Sequence, residues 1–222
     1  MTASTTKGYI GMGMEGPIAT WYANSTRSQM PDFQRLARRI SETAPRGGRA
    51  LEVAPGPGYL AIELARLGRQ SVVGLDISAS FVRIARQKAA EAGVRVDFQQ
   101  GNASQMPFGD NSFDFIVCRA AFKNFADPVG ALNEMHRVLK AGGQALINDL
   151  RNDASEAEVN QHVDGMGLNT VNSLLTKSAF KFMLLKRAYT VDAFGALVAQ
   201  SRFGAANIQR EGIGMDIWLE KV

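Results

Sequence analysis

Between Arg49 and Leu150 the chain alternates short apolar runs with amphipathic stretches, and this rhythm admits few folds. RALEVA (49–54), SVVGLD (71–76), VRVDF (94–98), FDFIVC (113–118) and QALINDL (144–150) have the length and β-branched content of buried strands. YLAIELARLG, FVRIARQKAAEAG and PVGALNEMHRVLK separate them with helical periodicity. Gly68, Gly93 and the AGG after the third helix stop these segments, and Asp127 with Pro128 opens the third as N-cap and first-turn proline. Strand and helix alternating in this way require right-handed crossovers, hence a parallel sheet covered on both faces. The predicted fold is a doubly wound α/β sheet. Its ligands should sit at the carboxyl ends of the strands.

The rest of the chain decorates that core. Residues 1–44 carry no strand pattern, and DFQRLARRISE places Phe33, Leu36, Ala37 and Ile40 on one helical face, so we expect a helical N-terminal cap. Residues 45–222 are expected to form the main domain, interrupted at 152–188 by a helical, partly basic insertion that reads as a lid. TVDAFGALVAQSRFG then restores a helix, and ANIQREGIGMDIWLEKV reads as two strands joined by a glycine-bearing turn. A chain of 222 residues suits one such core.

Composition narrows the classes of function. Hydrophobic residues make up 45% and charged residues 21%, the balance of a soluble globular protein. No apolar run has the length of a membrane span or the form of a signal peptide, so the expected location is the cytoplasm. The single cysteine, Cys118, excludes a disulfide framework and any multi-cysteine metal site; we expect no metal. The net charge of +4 is spread along the chain, which argues against nucleic acid as a partner. One local excess, LLTKSAFKFMLLKRAY (174–189), puts Lys177 and Lys181 on one helix face. That segment suits a weak membrane-surface contact, a cover over an apolar pocket, or an ordinary half-buried helix.

Two glycine strings compete for the ligand. Gly11 to Gly16 spells a literal GxGxxG, but no strand precedes it and Pro17 comes directly after it, so it reads as an N-terminal turn. The loop at 54–58 has a strand running in and a helix running out, and Gly56 and Gly58 let a ligand approach the backbone. Pro55 and Pro57 lack N–H groups, leaving fewer donors for a diphosphate. Asp76 ends the second strand, 18 positions after Gly58. An acid there accepts both hydroxyls of an adenosine ribose, which fits NAD and S-adenosylmethionine alike.

The remaining motifs separate those two. GNASQMPF (101–108), SFDFIVCRAAFKNFADP and RVLKAGG occur in order, and over about 51–150 the chain resembles class I S-adenosylmethionine-dependent methyltransferases, nearest the ubiquinone and menaquinone biosynthesis C-methyltransferases. Glu52, Gly56 and Gly58 match the family's acid-x-Gly-x-Gly-x-Gly motif, with Ala54 in place of its first glycine. The resemblance implies a Rossmann-like, mostly parallel seven-stranded sheet with an antiparallel C-terminal strand. It also implies S-adenosyl-L-methionine as cofactor, S-adenosyl-L-homocysteine as product and a small methyl acceptor. Asp76 would hold the ribose; Ile77, Asn102 and Ala103 would surround the adenine; Arg119 and Ala120 would underlie the methionine. Phe122 and Asn124 would face the acceptor, Tyr22 would contact it or close over the cofactor together with Arg27, and the apolar insertion suggests an acceptor that is hydrophobic or aromatic.

If a base is needed, His162 and Asp149 are the candidates. Glu52 and Asp76 have an alternative as strand-end caps, Phe122 and Phe125 as core, and His136 and His162 as surface or packing. The Asn/Asp-Pro-Pro-aromatic signature of polynucleotide amine methylation is absent, since RAAFKN occupies its place. Two other functions compete: an NAD-linked oxidoreductase, for which no Tyr-x-x-x-Lys pair is present, and a non-catalytic cofactor-binding or lipid-surface protein.

Overall fold

A computed structural model describes residues 8–11, 13–166, 169–180 and 185–222. Seven strands form one sheet in the order β3-β2-β1-β4-β5-β7-β6. They are β1 (Arg49–Val53), β2 (Ser71–Asp76), β3 (Asp97–Gln100), β4 (Phe113–Arg119), β5 (Leu139–Leu150), β6 (Asn207–Glu211) and β7 (Gly214–Glu220). All neighbours are parallel except β7, which runs antiparallel to both β5 and β6. The strand order reverses between β1 and β4, the topological switch point at which open α/β sheets leave a crevice.

Eight α-helices accompany the sheet among the described residues: α1 (Gly16–Ser25), α2 (Met30–Thr43), α3 (Tyr59–Arg66), α4 (Ala79–Glu91), α5 (Pro128–Val138), α6 (Glu156–Asp164), α7 (Thr170–Ala179) and α8 (Val191–Ala199). One face of the sheet packs on α2, α3 and α4, through Ile40, Leu60, Leu64 and Ala85 against Phe115, Val117 and Leu146. The other packs on α5 and α8, through Leu132, Met135 and Phe194 against Leu51, Ile116 and Ile147. The apolar face read for residues 32–42 is therefore real: Phe33, Leu36, Ala37 and Ile40 are all buried in α2.

Two elements start elsewhere than their apolar pattern predicts. The third strand begins at Asp97 and not at Val94, because the Val94 amide donates to Ala89 O at the end of α4, after Gly93 turns left-handed at φ 68°. The fifth begins at Leu139, directly after α5, with Gly142 at φ 73° and a register shift opposite Phe113 and Phe115.

The insertion after β5 is helical, as its sequence predicts, and has its own small core of Val159, Val163, Phe180, Leu185 and Ile213. Its two ends are tied together, since Asn152 N donates to Tyr189 O at 3.0 Å. Buried Arg151 anchors the base, donating to Gly212 O at 3.0 Å and to Asp153 O at 2.9 Å while pairing with Glu158. Lys177 of the basic stretch pairs with Asp164 at 2.8 Å; Lys181 lies outside the described residues. No described helix is long and apolar enough to cross a membrane.

Candidate functional site

The switch point places the candidate site among the loops at the carboxyl ends of β1 to β5. After β1 the backbone turns left-handed at Ala54 (φ 56°), Gly56 (φ 55°) and Gly58 (φ 81°), and Gly58 N donates to Pro55 O at 3.0 Å to close the turn. The two glycines have different reasons to be there. A Cβ on Gly58 would stand 2.7 Å from Phe98 and 2.8 Å from Ala85, so this glycine lets α3 pack against α4 and the sheet. A Cβ on Gly56 would meet only Phe81, at 4.0 Å, so its side of the loop is open.

Two buried acids stand beside this turn. The Asp76 carboxylate accepts from Gly56 N and from Ser78 N, each at 2.9 Å, and so joins the loop after β1 to the loop after β2. Burial pushes its pKa up to about 6 against these hydrogen bonds. Glu52, at 3% exposure, is reached by the Ala61 amide, and its Oε2 is the buried side-chain oxygen without a partner among the described residues. Burial pushes its pKa up to about 8, opposed by the Ala61 hydrogen bond and the charge of Arg119. An unpaired buried carboxylate oxygen is costly in an empty protein and is a ready acceptor for a ligand's donor.

Around the acids, Ile77 is half-buried and its carbonyl accepts from Gln100 Nε2 at 3.1 Å. Asn102 turns its Oδ1 inward to Ser104 N and Ser104 Oγ, both at 3.0 Å, while Ala103 packs on the core. Arg119 lies over the Phe33 ring at 4.3 Å and donates to Gln29 Oε1 at 3.2 Å; burial lowers its pKa. Ala120 is left-handed at φ 55°, its amide bound to Asn148 O at 2.7 Å. Tyr22 descends from α1 onto Phe81, with ring centroids 5.7 Å apart. Its phenol is held above the usual range by burial, and senses Arg119, Asp149 and Asp76.

The other sequence-predicted residues are placed differently. Phe122 is fully buried among Phe125, Tyr189 and Phe194 and belongs to the core; Asn124 meets the N-terminal segment through its carbonyl, which accepts from Ile10 N at 3.0 Å. Asp149 is buried and fully engaged: Lys123 Nζ donates to it at 2.6 Å, Leu150 N at 2.8 Å and Lys123 N at 3.2 Å. His162 is exposed on α6 with its ring on Phe180, and Arg27 is exposed beyond α1. No cluster of three or more His, Cys, Asp or Glu side chains suited to a metal ion occurs among the described residues. Sequence reasoning passes over Lys123, whose ammonium donates to Asp149 and to Ala120 O just past β4. Its position in RAAFKN, just past the fourth strand, is the signal that could have found it.

Comparison with known proteins agrees with this geometry. A methyltransferase domain family model matches residues 51–147. A demethylmenaquinone methyltransferase of Deinococcus radiodurans is 40% identical over 108 residues, 48% of this chain and 45% of that protein. A ubiquinone/menaquinone biosynthesis C-methyltransferase of Bdellovibrio bacteriovorus is 40% identical over 107 residues, 47% of this chain and 45% of that protein. The matched stretch thus spans about half the length of these curated relatives. A SAM-dependent methyltransferase from Aquifex aeolicus superposes with a TM-score of 0.68 at 17% identity, covering 92% of this chain and 97% of that one. A Methanococcus maripaludis protein provisionally described as an S-adenosyl-L-methionine-dependent methyltransferase does so with a TM-score of 0.80 at 22% identity, covering 96% and 95%. At these identities the two structures speak for the fold alone, a Rossmann-like sheet shared with methyltransferases, and over residues 51–147, from β1 into β5, the chain is similar to methyltransferase domains.

Proposed function

We propose that the protein transfers a methyl group from S-adenosyl-L-methionine to a small hydrophobic or aromatic acceptor. The observation that carries this reading is the pair of buried acids at neighbouring strands, one of which keeps an unpartnered oxygen. The cofactor fits such a set: it offers ribose hydroxyls and an ammonium as donors, and it brings positive charge to two carboxylates that burial otherwise holds toward their neutral forms. It demands no diphosphate contacts from a loop with two prolines.

When bound, the cofactor supplies an electrophilic methyl group on a sulfonium. Asp76 would accept from the ribose hydroxyls, Ile77, Asn102 and Ala103 would hold the adenine, and Glu52, Ala54, Gly56, Arg119 and Ala120 would seat the methionine. Alignment of the acceptor alone contributes roughly 7 to 11 kcal/mol in well-oriented reactions. Tyr22 and the Lys123–Asp149 pair are the polar groups on the acceptor side, and Lys123 would hold an oxygen of the acceptor. Asp149 would act as a base only after Lys123 turns away from it, and His162 only after the insertion moves inward.

In this reading residues 1–44 cap the main domain of 45–222, and the 152–188 insertion is the lid that keeps water out. Leu174 and Leu175 on α7, at 69% and 63% exposure, offer an apolar face to an incoming acceptor of quinone type, as the names of the relatives suggest. A cytoplasmic location goes with this reading, with weak contact to a membrane surface through the same residues. Thermal-shift titration tests it: S-adenosylhomocysteine at 100 times its dissociation constant should stabilise the protein by about 2.7 kcal/mol, and NADH should not. A shift by NADH alone would remove the proposal.

A further inference from the structure

Residues 8–11 and 13–16 are fastened to the loops beyond three strands. Beyond β4, Ala126 N donates to Gly8 O at 3.1 Å and Ile10 N to Asn124 O at 3.0 Å, pairing Tyr9 with Phe125. Beyond β3, Gly8 lies against Asn102 so closely that a Cβ would come within 2.7 Å of its amide. Beyond β2, Ser78 Oγ donates to Met14 O at 2.6 Å and Gly16 N to Ser80 Oγ at 3.0 Å. There the Glu15 carboxylate accepts from Ala79 N and Ser80 N, each at 3.1 Å. Between these fastenings the Tyr9 ring folds back under Gly11, where a Cβ would stand 2.3 Å from its Cζ and hydroxyl. The literal GxGxxG string, apart from Met12, which lies outside the described residues, is thus part of a docked strap.

Ala79 and Ser80 carry first-turn amides of α4, which need acceptors from outside the helix. Ser78 caps α4 in the usual way, accepting from Phe81 N at 3.1 Å. The next two amides are satisfied by a carboxylate 64 or 65 residues earlier in the chain, where negative charge is also favoured by the helix dipole. Glu15 is exposed and belongs to neither core, so this contact can break without disturbing them.

Two of the three loops so bridged, those beyond β2 and β3, would hold adenosine in the proposed function, and the third, beyond β4, would seat the methionine. On that reading, we infer that residues 8–11 and 13–16 form a strap over the adenosine end of the site, latched by Glu15 as a positioning residue, so that cofactor and product pass only when the latch opens. Tyr9 rides on this strap, and its half-buried phenol senses Tyr22, Arg187 and Asp76.

The test is dissociation of radiolabelled S-adenosylhomocysteine, chased with excess unlabelled ligand, from wild type, Glu15→Ala and Gly11→Ala. Loss of the charged acceptor should speed dissociation about tenfold, and association should speed with it because both pass the same latch. Gly11→Ala, which displaces the Tyr9 ring, should act in the same direction. In the wild type, cleavage after Glu15 by a glutamate-specific protease should slow when the ligand is added. Wild-type binding with unchanged dissociation from both variants, or cleavage indifferent to ligand, overturns the strap. A wild type that binds no S-adenosylhomocysteine instead overturns the reading beneath it.

Discussion

Glu52 and Asp76 make the site titrate. Both carboxyls ionise near pH 4 in an unfolded chain, but in the folded protein without ligand Asp76 holds its proton to about pH 6 and Glu52 to about pH 8. The folded state therefore binds more protons in that window, and the protein without ligand should lose stability as pH rises from about 4 to about 8. Asp76 gives up its share by about pH 6 and Glu52 by about pH 8. Melting curves should show Glu52→Gln holding steady between pH 6.5 and 8 where the wild type falls, on the ~1.4 kcal/mol carried by each pKa unit; parallel curves would mean Glu52 is ionised throughout. Ligand affinity should run the other way, weakening as pH drops through about 6, because in the proposed seating the ribose hydroxyls would need the Asp76 carboxylate as acceptor.

The two glycines beside these acids should also part company. Gly58→Ala combines a left-handed φ with a clash on Phe98 and should destabilise by roughly 2 to 5 kcal/mol. Gly56→Ala incurs only the strain, about 1 to 2 kcal/mol, and its new methyl points into the open side, so calorimetry should find its main effect on ligand affinity. Equal stability loss in both would contradict the division. Sequence alone assigns both glycines to ligand approach, because a turn motif records that a Cβ is unwelcome without saying what it would strike. The acids at 52 and 76 are legible because a charge closing an apolar strand stands out against its neighbours.

At the level of elements, helix and strand periodicity places the sheet and both covering layers, including the buried face of α2. The misplaced strand starts, at Asp97 and Leu139, come from hydrogen bonds that pattern does not carry: an amide used to close α4, and a strand entered directly from α5. The insertion is legible as helical and partly basic, but not its closed base, which depends on Arg151 and on Tyr189 meeting Asn152 across the whole insert. Because those ends already meet, replacing the segment between them with a short glycine linker should leave S-adenosylhomocysteine affinity within about threefold, since closing a shorter loop costs little. Acceptor selectivity should be lost with it. The same product spectrum from the shortened enzyme, measured against a panel of phenols and quinols, would count against a lid.

Across the whole molecule, the reversal of strand order between β1 and β4 is the switch point beside which the proposed cofactor loops lie. What one sequence hides is the closure of that crevice from the N-terminal side. Each of the strap's hydrogen bonds uses a backbone atom and reaches a residue more than 60 positions away, and such contacts leave no periodicity to read. The seating of the adenosyl group on Asp76 is best tested by calorimetric titration of S-adenosylhomocysteine into wild type and Asp76→Ala at pH 7.5. The wild type should show one site, weakened about ten- to hundredfold by the substitution, as expected for roughly 1.5 to 3 kcal/mol of lost hydrogen bonding to a charged group. Equal affinity in the two proteins would refute that seating.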